Sequence, residues 1–136
     1  MVLDTNVVVS AMRSRAGAAF QVLRATGGDR FDIAVSVPLV LEYEAAVQGL
    51  PDSALGRQDV AAVLDYLCAI GKQQQVFYLW RPALRDPNDD MVLELAVAAQ
   101  CDAVITYNRR DFEGAERFGI QVWRPIDLLT KVGWIR

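Results

Sequence analysis

Apolar positions along the chain fall into two alternating kinds of stretch. Short continuous runs occur at residues 1–3 (MVL), 31–37 (FDIAVSV), 76–80 (VFYLW), 103–106 (AVIT) and 120–123 (IQVW). Their length and their β-branched or aromatic content suit buried strands. Between them, apolar residues recur at helical spacing. Residues 8–26 make the first helical stretch, with Val22 and Leu23 on its apolar face and Arg13, Arg15 and Gly17 in a lead-in loop or frayed turn. Gly27-Gly28-Asp29 then marks a turn. A second helix spans residues 38–47, with Ser36 as a possible cap, Pro38 where a missing N–H is tolerated, and Gly49 and Pro51 closing it. Asp52 or Ser53 restarts a helix carried by Val60, Val63, Leu64, Leu67 and Ile70 and stopped by Gly71. Residues 81–88 are a polar loop. Asp89 and Asp90 open a helix reaching residue 100, with Leu93, Ala96 and Val97 inward. Residues 108–118 form a loop and short helix, and Pro125 starts a last helix to residue 132.

Strands alternating with helices predict an α/β fold, a parallel sheet covered on both faces and joined by right-handed crossovers. There is no internal repeat or linker, so residues 1–136 are expected to form one domain. In such sheets ligands bind outside the carboxyl ends of the strands. Asp4 ends the first strand there, with Thr5 and Asn6 behind it to serve the turn or cap the next helix. The plainer reading makes Asp4 itself a helix cap.

Composition narrows the chemistry. The chain is 53% hydrophobic with net charge -3 and pI ≈ 4.9, which fits a folded protein and opposes a general nucleic-acid coat protein. It leaves room for local arginines beside an acidic, metal-neutralised site. No apolar run reaches the length of a membrane span, and Asp4 interrupts the place of a signal-peptide core, so a cytoplasmic protein is expected. Cys68 and Cys101 suggest neither a disulfide framework nor a zinc site and read as buried small hydrophobes. The chain has no histidine, which removes Ser-His-Asp and Cys-His catalysis, HExxH proteases and His-ligated zinc. Proton transfer must fall to carboxylates, tyrosine, Lys72, Lys131 or metal-bound water.

The acids keep to one rule of placement. Asp4 ends the first strand, Glu42 lies about one turn into the helix after the second, Asp89 and Asp90 open the helix before the fourth, and Asn108 and Asp111 follow that strand. Carboxylates brought together repel unless a cation intervenes. Oxygen ligands without His or Cys favour Mg²⁺ or Mn²⁺, and an ion so held can activate water and stabilise charge on a phosphoryl oxygen. Metal-assisted phosphodiester hydrolysis is the natural reaction class. The bland alternative makes Glu42 a solvated helix residue and Asp89 and Asp90 favourable charges at a helix N-terminus. Glu44, Asp59, Asp65, Glu94 and Glu116 read as surface acids.

The segments VLDTNVVVSAM, SVPLVLEYEAAV, DPNDDMVLELAVAAQCDAVITYNRRDF and GIQVWRP, in that order, resemble a PIN domain, and more narrowly the VapC-type toxins of bacterial toxin–antitoxin pairs. The resemblance implies a three-layer α/β/α fold with a parallel sheet in the order 3-2-1-4-5. It implies a Mg²⁺- or Mn²⁺-dependent endoribonuclease, with Asp4, Asp89 and Asp90 at the metal and Glu42 completing the catalytic acids. The family pattern DxxDNxxLE favours Asp89 as the third acid, whereas counting back from ITYN favours Asp90. Many relatives carry T-x-D after the fourth strand; here Thr106-Tyr107-Asn108 puts an amide there, and Asp111 is the candidate replacement. Thr5 and Asn6 would orient Asp4, and Thr106 would order the site. Arg13, Arg15, Arg109 and Arg110 are candidates for RNA phosphate contacts, with solvated loop charge the alternative. The resemblance further implies a cognate antitoxin that places an arginine at the acids, and a homodimer; the apolar residues 66–80 or the first and third helices offer a face for it, with core packing the alternative reading of those side chains. Two rivals remain. A haloacid-dehalogenase-like phosphatase expects D-x-D where this chain has Asp4-Thr5-Asn6, and a PIN-like binding module would have Asn108 as the mark of a weakened site.

Overall fold

The computed structural model describes residues 1–48, 57–76, 84 and 86–135. In chain order it contains β1 (Val2–Leu3), α1 (Thr5–Arg13), α2 (Ala18–Ala25), β2 (Ala34–Val35), α3 (Val37–Gln48), α4 (Arg57–Ile70) and β3 (Lys72–Gln73). These are followed by α5 (Pro87–Ala98), β4 (Ala103–Ile105), two 3₁₀ turns (Arg109–Phe112 and Ala115–Phe118), β5 (Gln121–Trp123) and α6 (Pro125–Lys131).

Strands β1, β4 and β5 pair in parallel in that spatial order, Val2 facing Val104 and Leu3 facing Ile105. β2 and β3 form a separate parallel pair. The expected continuous sheet in the order 3-2-1-4-5 is thus divided between strands 1 and 2. The two parts still touch: the Ala34 N–H donates to the Met1 carbonyl at 2.8 Å and the Met1 amino group to the Asp32 carbonyl at 2.8 Å. β1 is too short to hold full ladders on both sides, because Asp4 turns the chain into α1 at once.

That turn corrects a second expectation. The single helix over 8–26 is two helices, and the first begins at Thr5 because Asp4 caps it. It ends at Ser14, which is extended (φ -149), and Gly17 opens α2. Residues 13–16 are exposed, so no apolar contact carries a helix across them. The third strand is one the sequence pattern gave no sign of. β3 is the exposed, polar Lys72–Gln73, directly after Gly71. A Cβ on Gly71 would lie 2.7 Å from the Leu67 carbonyl oxygen and 3.0 Å from the Val35 side chain, so glycine is what lets β3 close on β2. Residues 77–80, the Asp52 or Ser53 helix start, the Gly49 and Pro51 stop and most of the 81–88 loop lie outside the described residues. α5 stops at Ala98, two residues before the expected end, where Gln100 takes a left-handed conformation (φ 55) and the Cys101 N–H returns to the Ala96 carbonyl at 2.8 Å.

The core joins Val2, Leu3, Val104 and Ile105 to Val7, Val8, Leu39, Leu93 and Leu128, all buried. α5 packs on β1, β4 and β2, while α1 packs on α2 and α3, and α2 on α6. Cys68 and Cys101 are free and only half-buried, less enclosed than expected. Among the described residues no helix is long and apolar enough to cross a membrane.

Candidate active site

Asp4 sits at the last rung of the central strand pair. Its N–H donates to the Ile105 carbonyl at 2.9 Å, so its side chain leaves the sheet where β1 stops. Oδ1 accepts the Thr5 N–H at 2.8 Å and Oδ2 accepts the Thr106 hydroxyl at 2.8 Å. The capping role is therefore real, and it leaves the carboxylate facing the carboxyl ends of the strands. Thr106 is fully buried, and its oxygen also accepts from the Asn6 amide at 3.2 Å and from the Asn108 N–H at 3.0 Å. Its one donor and two lone pairs are all in use. Asn6 in turn accepts the Tyr107 N–H at 3.2 Å. Asn6 thus reaches Asp4 through Thr106, whereas Thr5 reaches it through its backbone. Burial raises the pKa of Asp4; the Thr106 and Thr5 hydrogen bonds oppose this, and Asp111 and Asp86 add repulsion.

Glu42 is delivered by α3. The next residue, Tyr43, is buried and donates its hydroxyl to the Leu3 carbonyl, tying this helix to β1 one residue before Asp4. Ser36 caps the helix by accepting the Leu39 N–H at 3.3 Å. Glu42 Oε2 and Thr5 Oγ1 are both buried without a hydrogen-bond partner. The Thr5 hydroxyl nevertheless lies near enough to Glu42 to lower its pKa, short of good hydrogen-bond geometry. Burial outweighs it, and Asp4 and Asp86 push the same way, so the Glu42 pKa is raised.

The structure separates Asp89 from Asp90. Burial, then Asp4, Asp111, Asp86 and Glu42, push the Asp89 carboxyl up to about 7. Asp90 is buried, its Oδ1 accepts the Leu84 N–H at 2.9 Å, and its charge acts on Glu94. Glu94 itself is buried, with one orphaned oxygen, and is not the surface acid expected of it. Asp111 lies in the first 3₁₀ turn, exposed, and acts on both Asp4 and Asp89. Asn108 precedes that turn, also exposed.

One acid escaped the sequence reading. Asp86 acts on Asp4, Glu42 and Asp89, and its carbonyl accepts the N–H groups of Asp89 (3.0 Å) and Asp90 (3.1 Å) at the start of α5. The signal was there: an aspartate before Pro87 is the mark of a cap ahead of a first-turn proline.

A PIN domain family model matches residues 1–110 of the chain. The chain belongs to the PIN domain family. PIN domains are generally metal-dependent nucleases, usually with Mg²⁺. No curated protein matches the chain at a significant level. The matched segment includes Asp4, Glu42, Asp86 and Asp89 and ends one residue before Asp111.

The residues of this PIN domain fit a divalent cation in one respect and depart from a ready-made cage in another. Among the described residues no three carboxylates stand close enough to hold an ion by themselves. Yet the groups raising the pKa values of Asp4, Glu42 and Asp89 are other carboxylates, and no cation among the described residues offsets them. Mg²⁺ keeps several of its waters and takes one or two carboxylates directly, so a loose set of hard oxygens is the donor chemistry it requires.

The four candidate arginines are dispersed around this PIN domain site. Arg13 ends α1 and Arg15 lies in the turn beyond, both exposed. Arg109 and Arg110 are exposed in the first 3₁₀ turn, and Arg109 acts on Asp127 at the start of α6. A groove of about 550 Å³ follows the outer face of α1, lined by Thr5, Asn6, Val9, Ser10, Arg13 and Ser14.

Proposed function

We propose that this PIN domain, formed by residues 1–136, is an endoribonuclease of the cytoplasm that hydrolyses RNA phosphodiester bonds with Mg²⁺ or Mn²⁺, and that it is the toxin half of a toxin–antitoxin pair. The observation carrying this reading is that burial, and repulsion by one another and by Asp86 and Asp111, raise the pKa values of Asp4, Glu42 and Asp89; four different segments bring these acids to one edge. Asp4 and Asp89 would hold the ion, with Glu42 and Asp111 reaching it through water. Asp90, bound to the Leu84 N–H, would fix the loop before α5. When bound, such an ion supplies an activated water and positive charge for the phosphoryl oxygens.

The chain's own groups do the rest. Thr106 and Asn6 hold the Asp4 carboxylate in one rotamer, and Tyr43 holds the α3 helix so that Glu42 faces it. Glu42, with a raised pKa and an orphaned oxygen, is placed to carry a proton away from water or toward the leaving oxygen. Arg13, Arg15, Arg109 and Arg110 would meet phosphates along the strand. A basic antitoxin segment, whose arginine would answer the acids, fits the same charge imbalance. The exposed Val37 and Leu41 on α3 support a homodimer through that helix. Asn108, in place of an acid, favours a second reading, a binding module with weakened catalysis.

Incubating the protein with single-stranded RNA and Mn²⁺ separates the two. Cleavage that stops with a chelator and with Asp4→Asn is expected. Cleavage indifferent to both would refute the metal mechanism, and intact RNA would leave the binding module.

A further inference from the structure

Tyr107 stands apart from the chemistry described so far. It follows Thr106 at the carboxyl end of β4, so its backbone is fixed beside Asp4, yet 43% of the residue is exposed to solvent. Burial in the core does not account for a large aromatic left this open at the rim of an acid cluster. The Tyr107 N–H is held by the Asn6 side chain at 3.2 Å, and the following Asn108 N–H by Thr106 at 3.0 Å. Its main chain is therefore immobilised on both sides, which reduces the ordering cost of presenting the ring. Asn6 also lines the head of the α1 groove, whose wall continues through the Ser10 hydroxyl to Arg13. One residue thus joins an exposed aromatic, a trough that runs past Val9 and Ser10 to the Arg13 guanidinium, and the acids.

We propose that Tyr107 is a base-stacking platform: a nucleobase beside the cleaved phosphate lies on its ring, and the strand runs on along α1 with Arg13 meeting a phosphate. The inference rests on the nuclease reading for its location and adds what that reading lacks, a contact that grips the base. Single-stranded RNA is held in this way by aromatic faces together with cations along the backbone, with little regard to base identity. Tyr107 is accordingly a binding residue and takes no part in moving protons.

The test uses the full chain carrying Asp4→Asn, which leaves a fluorescently labelled single-stranded oligoribonucleotide uncut, with Mg²⁺ present. Tyr107→Ala should weaken binding about tenfold, and Tyr107→Phe, which keeps the ring, by less than about twofold. A series of oligonucleotides with one abasic site supplies the second arm. At one position, loss of the base should weaken the Tyr107 protein about tenfold and leave the Tyr107→Ala protein unmoved. Equal affinities for Tyr107→Ala and its parent overturn the inference. So does a Tyr107→Ala loss that is the same at every abasic position, which would make the ring a packing element. Binding that depends on Tyr107, in a chain that leaves RNA intact with Mn²⁺, would refute the nuclease and keep the platform. Cleavage with a KM untouched by Tyr107→Ala would do the reverse.

Discussion

The two ends of the parallel strands treat charge in opposite ways. At the amino ends, Lys72 pairs with Asp32 at 3.2 Å, and the Met1 amino group donates to the Asp32 carbonyl at 2.8 Å. Arg30 donates to the Val132 carbonyl at 3.0 Å and lies over the Trp134 ring at 5.4 Å. A hollow of about 360 Å³ opens there among Met1, Arg30, Asp32, Lys72 and Asp102, with both signs of charge on its walls. At the carboxyl ends, by contrast, the charges acting on Asp4, Glu42 and Asp89 among the described residues are further carboxylates, and Glu42 keeps an oxygen buried without a partner. Folding alone would favour the balanced arrangement at both ends. The proposed function takes the unbalanced end as the place where an outside cation supplies the missing charge.

If that contrast is right, the largest effect belongs to Asp4. Asp4→Asn keeps the shape and can keep the Thr5 hydrogen bond through its amide oxygen while removing the charge, at the cost of the bond from the Thr106 hydroxyl. Loss of RNA cleavage by more than ~100-fold is expected in a Mn²⁺ assay, beyond the ~10–100-fold typical when a partner of a metal ligand is lost. Cleavage within tenfold of the parent would make the acidic end as inert as the other.

Thr106→Val should come next. It deletes a fully buried hydroxyl that serves Asp4, Asn6 and Asn108, leaving two donors and a carboxylate oxygen unanswered. A stability loss of about 1–3 kcal/mol in urea denaturation is expected, together with a Mn²⁺ affinity ~10–100-fold weaker. An unchanged metal affinity would detach Thr106 from the site.

The acidic end should also announce itself through pH. Asp89 titrates near about 7 in the folded chain against an ordinary 3.8, so between those values the folded state holds a proton that the unfolded state has lost. The stabilisation is fully present below 3.8 and is lost as pH rises through about 7. Metal-free protein should therefore lose thermal stability across this window, and Asp89→Asn should flatten the loss. Mn²⁺ should raise the Tm more at pH 8 than at pH 5.5, since at the lower pH it competes with a proton. A metal effect independent of pH would argue against Asp89 as a ligand. The smallest effect is reserved for the balanced end: Lys72→Ala breaks a pair exposed on both sides, and less than about 1 kcal/mol of stability and no change in cleavage are expected.

The contrast explains what could be read from the chain beforehand. Asp4, Glu42 and the Asp89–Asp90 pair could be picked out because each lies near a junction of strand and helix, and hydrophobic periodicity locates junctions well. The strands themselves were harder. β3 is Lys72–Gln73, polar and exposed, and carries no apolar run to betray it; what permits it is the bare Cα of Gly71 against Val35. The choice between Asp89 and Asp90 lay beyond any count of residues, since adjacent positions on a helix differ by about 100° in direction. Only packing turns one toward Asp4 and the other toward Leu84. Asp86 was readable in principle, as the residue before a first-turn proline, and was passed over because the segment around it is polar.

The central claim is that a divalent cation completes the acidic end, and anomalous scattering from crystals grown in Mn²⁺ tests it most directly. A peak between Asp4 and Asp89, within water-bridged reach of Glu42, is the result predicted. A saturated crystal with no peak there, or with its metal bound at Asp32 and Asp102 on the opposite end, would contradict it.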